Sequence, residues 1–104
     1  MATKKDLPHI SAYLEVVLQL LRIREAMTVE ELEQATADSM SLGPELRTLR
    51  TEDGFDRLHA YRLGWALSGL AQAGAVAEIG TGVIRITPVG ARMSETDLAD
   101  LLKR

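Results

Sequence analysis

Apolar residues recur at Ile10, Leu14, Val17, Leu18 and Leu21, with Glu15, Gln19 and Arg22 turned away. Spacings of three and four residues place one side chain above another on a helix, so this stripe predicts an amphipathic helix from Pro8 or Ser11 to Arg24. A second helix is predicted from Thr28. Its hydroxyl can cap the free amides of the first turn while Glu31 reaches back, and Met27 and Leu32 occupy the positions of a hydrophobic staple. Val29, Leu32 and Ala35 form its expected buried side, and Gly43-Pro44 in "SLGP" breaks the pattern.

Residues 41–56 carry no clear period. Leu46 and Leu49 suit one short helical turn and "TEDGF" suits a turn, so the segment is expected to be a loop with a short helix. The stretch "RLHAYRLGWALSGLAQAGAV", residues 57–76, then reads as a third helix closed by Gly74 as a left-handed C′ residue. "VAEI" and "VIRIT" are β-branched runs separated by Gly80, Thr81 and Gly82, the pattern of a hairpin with a three-residue loop. Thr87-Pro88 suits an N-cap followed by the first position of a short helical turn. Ser94 and Asp97 form a second capping-box pattern before "LADLLKR", with Leu98, Leu101 and Leu102 on one side.

The predicted class is α+β, mainly α: three helices, a two-stranded hairpin and a short C-terminal helix. That order is the order of a winged helix, in which the third helix enters the major groove and the hairpin lies beside it. The 104 residues are read as a single domain, with its core over about 7–93 and the segment 94–104 as a linker helix or dimer contact.

The third helix has two apolar sides. Leu63, Ala66, Leu67 and Leu70 form the core-facing one, with His59 and Ala60 at its edges. Leu58, Tyr61 and Trp65 lie roughly opposite, flanked by Arg57 and Arg62. As a DNA-facing surface, this second stripe would offer Arg57 and Arg62 to phosphates or guanine edges and Tyr61 to a base or sugar, with Trp65 beside them. As packing, Leu58, Tyr61 and Trp65 would lie beneath the N-terminal arm, the loop 41–56 or a second subunit. A tryptophan so central to an apolar helix is more often packing than ligand, and packing is the expectation for Trp65. Arg85 alternates outward between Ile84 and Ile86, either as a phosphate or minor-groove contact or as a solvated strand residue. Thr81 is a candidate by its position at the wing tip. His9 and His59 are read as surface and helix-edge residues.

Composition narrows the chemistry. With 46% apolar and 26% charged residues the chain has enough material for a core and enough charge to stay dissolved. It has no cysteine, which excludes disulfides and thiolate sites, and its two histidines lack metal-ligand spacing. No metal, cofactor or catalytic set is expected. "GTG" lies between two strands and lacks the context of a phosphate-binding loop, and the acids of "EELEQATAD" suit a helix N-terminus. No apolar run is long enough for a membrane span, so a cytoplasmic protein without membrane partners is expected. The net charge is −3, but residues 47–92 hold six basic and four acidic side chains, a local excess of two.

"LPHISAYLEVVLQLL", "YRLGWALSGLAQAGAV" and "GTGVIRITPVGARM" resemble the N-terminal domain of Mrr-type restriction proteins over roughly residues 7–93. The resemblance implies a winged-helix module for double-stranded DNA, fused in its relatives to a C-terminal nuclease domain that cleaves modified, often methylated, DNA. Arg62 and Trp65 match the family's Arg and Trp positions. The nuclease domain is absent from this sequence, which makes it either an N-terminal portion of a longer protein or a stand-alone relative. Two functions follow: DNA binding through Arg57, Tyr61, Arg62, Trp65, Thr81 and Arg85, or a protein-interaction module, homodimeric in one form, using the same apolar stripe.

Overall fold

The first apolar stripe becomes α1, Ile10–Arg24, in a computed structural model that describes residues 3–103. Tyr13, Leu14, Val17, Leu18 and Leu21 are all buried along one side. The helix ends at Glu25, whose left-handed φ of 64° turns the chain sharply. Its N–H still donates to Leu21 O at 2.8 Å.

That turn starts an element with no periodic signature, the strand β1, Ala26–Thr28. β1 pairs antiparallel with β3, Val83–Ile86, in the register Ala26↔Arg85, Met27↔Ile84, Thr28↔Val83. On its other side β3 pairs with β2, Val76–Ile79, as the hairpin pattern predicts. The sheet therefore has three antiparallel strands in the order β1-β3-β2, where the sequence indicated two.

α2, Val29–Ser39, starts on the expected capping box: Glu31 N–H donates to the Thr28 hydroxyl at 3.0 Å and Thr28 N–H to the Glu31 carboxylate at 2.9 Å. The Thr28 N–H first, and the Thr28 hydroxyl after it, hold the Glu31 carboxyl below the usual range, with the Arg24 guanidinium assisting. The buried side of α2 is Leu32, Thr36 and Ala37, with Ala35 partly buried. Val29, expected inside, is exposed. Its N–H donates to Gly82 O, which places it beside the β2–β3 turn. Thr36 takes the inner position because its hydroxyl donates to Leu32 O at 2.7 Å, so no polar group is left unsatisfied. Gly43 and Pro44 open the short helix α3, Pro44–Thr48.

α4, Leu58–Gln72, is the predicted third helix, and Gly74 closes it at φ 77°. Ala75 N–H bonds Leu70 O and Gly74 N–H bonds Ala71 O, the paired bonds of a Schellman cap. His59, Leu63, Ala66 and Leu70 face the core, so His59 is buried rather than at the edge. Its Nε2 lies 2.8 Å from Glu33 O and its Nδ1 2.7 Å from the Tyr13 hydroxyl, tying α4 to α2 and α1. Burial pushes the Tyr13 phenol up to about 12, against the opposing pull of the Arg62 charge.

Thr87 caps α5, Pro88–Arg92, and Ser94 with Asp97 boxes the start of α6, Glu95–Leu101. α6 packs on α1 through the buried Leu98, so this segment is docked on its own domain. Arg104, the end of the expected tail helix, lies outside the described residues. The whole is α+β and mainly helical.

Candidate functional site

The outward side of α4 is open. Tyr61 is 46% and Trp65 58% exposed, and their rings meet edge-on with centroids 6.3 Å apart. More than half of the Trp65 surface is thus open, so neither the N-terminal arm nor the segment 41–56 covers it as the packing expectation had it; the second subunit also expected there is not part of this structure. Of the stripe's three large residues only Leu58 packs inward, onto a small second cluster of Leu7, Ala37 and Leu42. Beside the rings lies a groove of about 390 Å³ lined by Asp56, Ala60, Tyr61, Gly64, Trp65 and Ser68. A Cβ on Gly64 would meet nothing within 4 Å, so this glycine keeps the floor of the groove low rather than admitting another backbone.

The chain has four aromatic residues of the Phe, Tyr and Trp types, and only Tyr13 is buried. The remaining one, Phe55, is 84% exposed at the tip of a small hairpin built from the segment the sequence left unclear. Arg50 and Arg57 form the antiparallel bridge at its base. Thr51 N–H donates to Asp56 O at 2.9 Å, Gly54 takes φ 76°, and the Asp53 carboxylate accepts from the Thr51 hydroxyl and from Phe55 N–H. Those two bonds, the hydroxyl first, hold the Asp53 carboxyl below its usual range. A second groove of about 470 Å³ continues from Tyr61 over this hairpin, with Lys4, Arg50 and Asp56 on its walls.

The candidate cations are placed unevenly. Arg57, the N-cap residue of α4, donates to Glu33 at 2.7 Å in an exposed pair. Arg62 turns back over the N-terminal strap, residues 3–9, donating to Leu7 O at 3.1 Å, Pro8 O at 2.8 Å and Lys4 O at 3.2 Å. Its fork is occupied by main-chain carbonyls rather than presented beside Tyr61. Arg85 is exposed on the outer face of the sheet, between Ala26 and Ala77. Thr81 is exposed at the β2–β3 turn. The structure therefore brings Tyr61 and Trp65 together, sets Arg57 at the end of their helix, and leaves Thr81 and Arg85 on the hairpin, outside both grooves.

Lys4 and Arg50 were missed in the sequence. Lys4 precedes the first predicted helix and carries no pattern that places it, and Arg50 reaches this surface only through the bridge to Arg57. Among the described residues no three His, Asp or Glu side chains gather as for a metal ion, and no helix is long and apolar enough to cross a membrane.

Fold and surface define a small helical α+β domain that offers an open aromatic groove at the end of one helix. The family model of the Mrr N-terminal domain matches residues 11–96, and the chain belongs to that family. This family is an N-terminal domain and not itself a catalytic nuclease domain. Neither the curated proteins nor the solved structures include a match to the chain.

Proposed function

We propose that this chain is a winged-helix module that binds double-stranded DNA and serves as the target-recognition domain of an Mrr-type restriction system. The elements support that reading: β1 joins the α1–α2 connection to the hairpin, so the three principal helices and three strands follow the order of a winged helix. Within it α4 is the recognition helix and β2–β3 the wing. DNA cleavage falls to a separate nuclease domain, and the setting is the cytoplasm.

The observation that carries the proposal is the uncovered N-terminal half of α4. Its aromatic groove lies next to Arg57 and to the hairpin bearing Arg50, the end from which a recognition helix meets base edges. The Arg57–Glu33 and Lys4–Glu52 pairs are exposed, and such pairs contribute about 0–1 kcal/mol, so a phosphate can replace the carboxylate at little cost. Tyr61 and Trp65 supply apolar and stacking contact, Arg85 and Thr81 backbone contact from the wing, and Arg62 supports the surface from behind.

Binding of a labelled duplex by fluorescence anisotropy at two salt concentrations tests this. With about four to five phosphate contacts, log K should fall with log salt at a slope near −4, and Arg57→Ala with Arg85→Ala should lower the slope by about two. Absence of salt-sensitive binding would remove the reading.

A second reading rests on one observation: Trp65 also borders a groove of about 360 Å³ with Ile10, Leu14, Leu101 and Leu102, an apolar continuation toward α6. That surface suits a protein partner or a second copy. Concentration-dependent mass in light scattering, abolished by Leu102→Glu, would favour it.

A further inference from the structure

We propose that the N-terminal strap is a clamp for the duplex backbone, with Lys4 and Lys5 as its phosphate contacts, and that Arg62 is the positioning residue that shapes it. This rests on the DNA-binding reading above. The strap contains a single 3-10 turn, Lys4–Asp6, and one turn of helix is unfavourable on its own. Three contacts fix it. Thr3 N–H donates to the Asp6 carboxylate at 2.9 Å, Leu7 is buried against Ala37 and Leu42, and the Arg62 guanidinium donates to the carbonyls of Lys4, Leu7 and Pro8.

What the fixed turn carries outward is a pair of lysines. Both are exposed, and Lys5 has no hydrogen-bond or ion-pair partner among the described residues. Asp6, the one acid of the strap, is held in the turn's own capping box. Lys4 lines the groove that runs from Tyr61 over the hairpin, together with Arg50, so its ammonium stands on the side of the strap that faces the N-terminal half of α4.

Charge and order together point to phosphates. The chain carries a net charge of −3, so backbone affinity has to come from cations gathered on one side. Arg50, Arg57 and Arg85 supply three, and the strap adds two. An ammonium is a compact point charge with three donors, which suits a phosphate oxygen approached from beside the recognition helix. Because the turn is already ordered, binding costs little of the chain entropy that a loose basic arm would lose. Arg62 contributes to this without reaching DNA, since its fork is spent on the main chain that carries Lys4.

The test titrates the full chain onto a labelled duplex of random sequence across a salt series, since backbone contacts need no defined site. Each phosphate contact adds about 0.9 to the slope of log K against log salt. Lys4→Ala with Lys5→Ala should therefore make the slope shallower by about two, while Lys4→Arg with Lys5→Arg should keep it. Arg62→Ala should make it shallower by about one to two when the lysines are present, and by nothing further when both are alanine. In wild type, the amides from Lys5 to Leu7 should exchange more slowly once the duplex is bound. An unchanged slope without the two lysines, or unchanged exchange at those amides, would overturn the clamp. A further loss from Arg62→Ala in the double-alanine background would make Arg62 a phosphate contact itself and overturn its positioning role. Absence of salt-sensitive binding by wild type would instead overturn the DNA-binding reading.

Discussion

Tyr13 and His59 fix each other's hydrogen positions. The Glu33 carbonyl can only accept, so His59 Nε2 carries the hydrogen and Nδ1 accepts from the Tyr13 hydroxyl. Both side chains are buried, and the phenol, pushed up to about 12 by burial, ionises less readily folded than unfolded. A raised folded-state value means the unfolded chain releases its proton first. The contribution is therefore intact below pH 10 and is lost between about 10 and 12, at roughly 1.4 kcal/mol per pH unit. Tyr13→Phe should cost about 1–3 kcal/mol near neutrality, because His59 Nδ1 becomes a buried acceptor without a donor. It should also make the loss between pH 10 and 12 shallower than in wild type. Urea unfolding at pH 8 and 11 would check both. An equal alkaline loss in the two proteins would show that another group governs it. None of this is legible in the sequence, where His59 lies at the edge of an apolar stripe and its partner is 46 residues away.

Elements specified by neighbouring residues were legible; those specified at a distance were not. The Thr28–Glu31 and Ser94–Asp97 boxes, the Thr87 cap and the Gly74 stop each operate within one helical turn, and each is where the sequence put it. β1 is three residues long, too short for alternation to register, and it is a strand only because β3 pairs with it. The hairpin from Arg50 to Arg57 was recognised only as a turn, because its order comes from side chains of Thr51 and Asp53 bonding to the backbone and to each other. α5 shows the same dependence in packing. Gly90 looks like an unfavourable residue in a five-residue helix, yet a Cβ there would run into the main-chain carbonyl of Ala75. Ala75 N–H is itself held in the cap of α4, so the carbonyl has little room to retreat. Gly90→Ala should accordingly destabilise by about 1–3 kcal/mol or more, although alanine favours helix. A melting temperature equal to or above that of wild type would mean α5 moves freely away from β2.

At the scale of the whole molecule, the N-terminal strap connects the hairpin from Arg50 to Arg57 to α4. The apolar stripe with Tyr61 and Trp65 was legible from spacing, but whether anything covers it depends on where residues 3–9 and 49–57 run, which no local pattern encodes. The strap crosses beside α4 with Leu7 buried against Ala37 and Leu42, and Lys4 reaches Glu52 on the hairpin. Arg62 holds it there through three carbonyls. Charge-assisted bonds of this kind contribute about 1.5–3 kcal/mol each when their partners stay desolvated. The Lys4 and Pro8 carbonyls can turn to water, so the loss on Arg62→Ala should sit near the value for one bond. Arg62→Lys should restore little of it, since a single ammonium cannot span carbonyls that a planar fork reaches together. Hydrogen exchange resolves where the loss falls. In both variants amides near Leu7 and across 50–57 should exchange faster while Leu18, Leu63 and Leu70 keep their protection, because the main core does not include the strap. Uniformly faster exchange across α1 and α4 would mean that Arg62 supports the core instead.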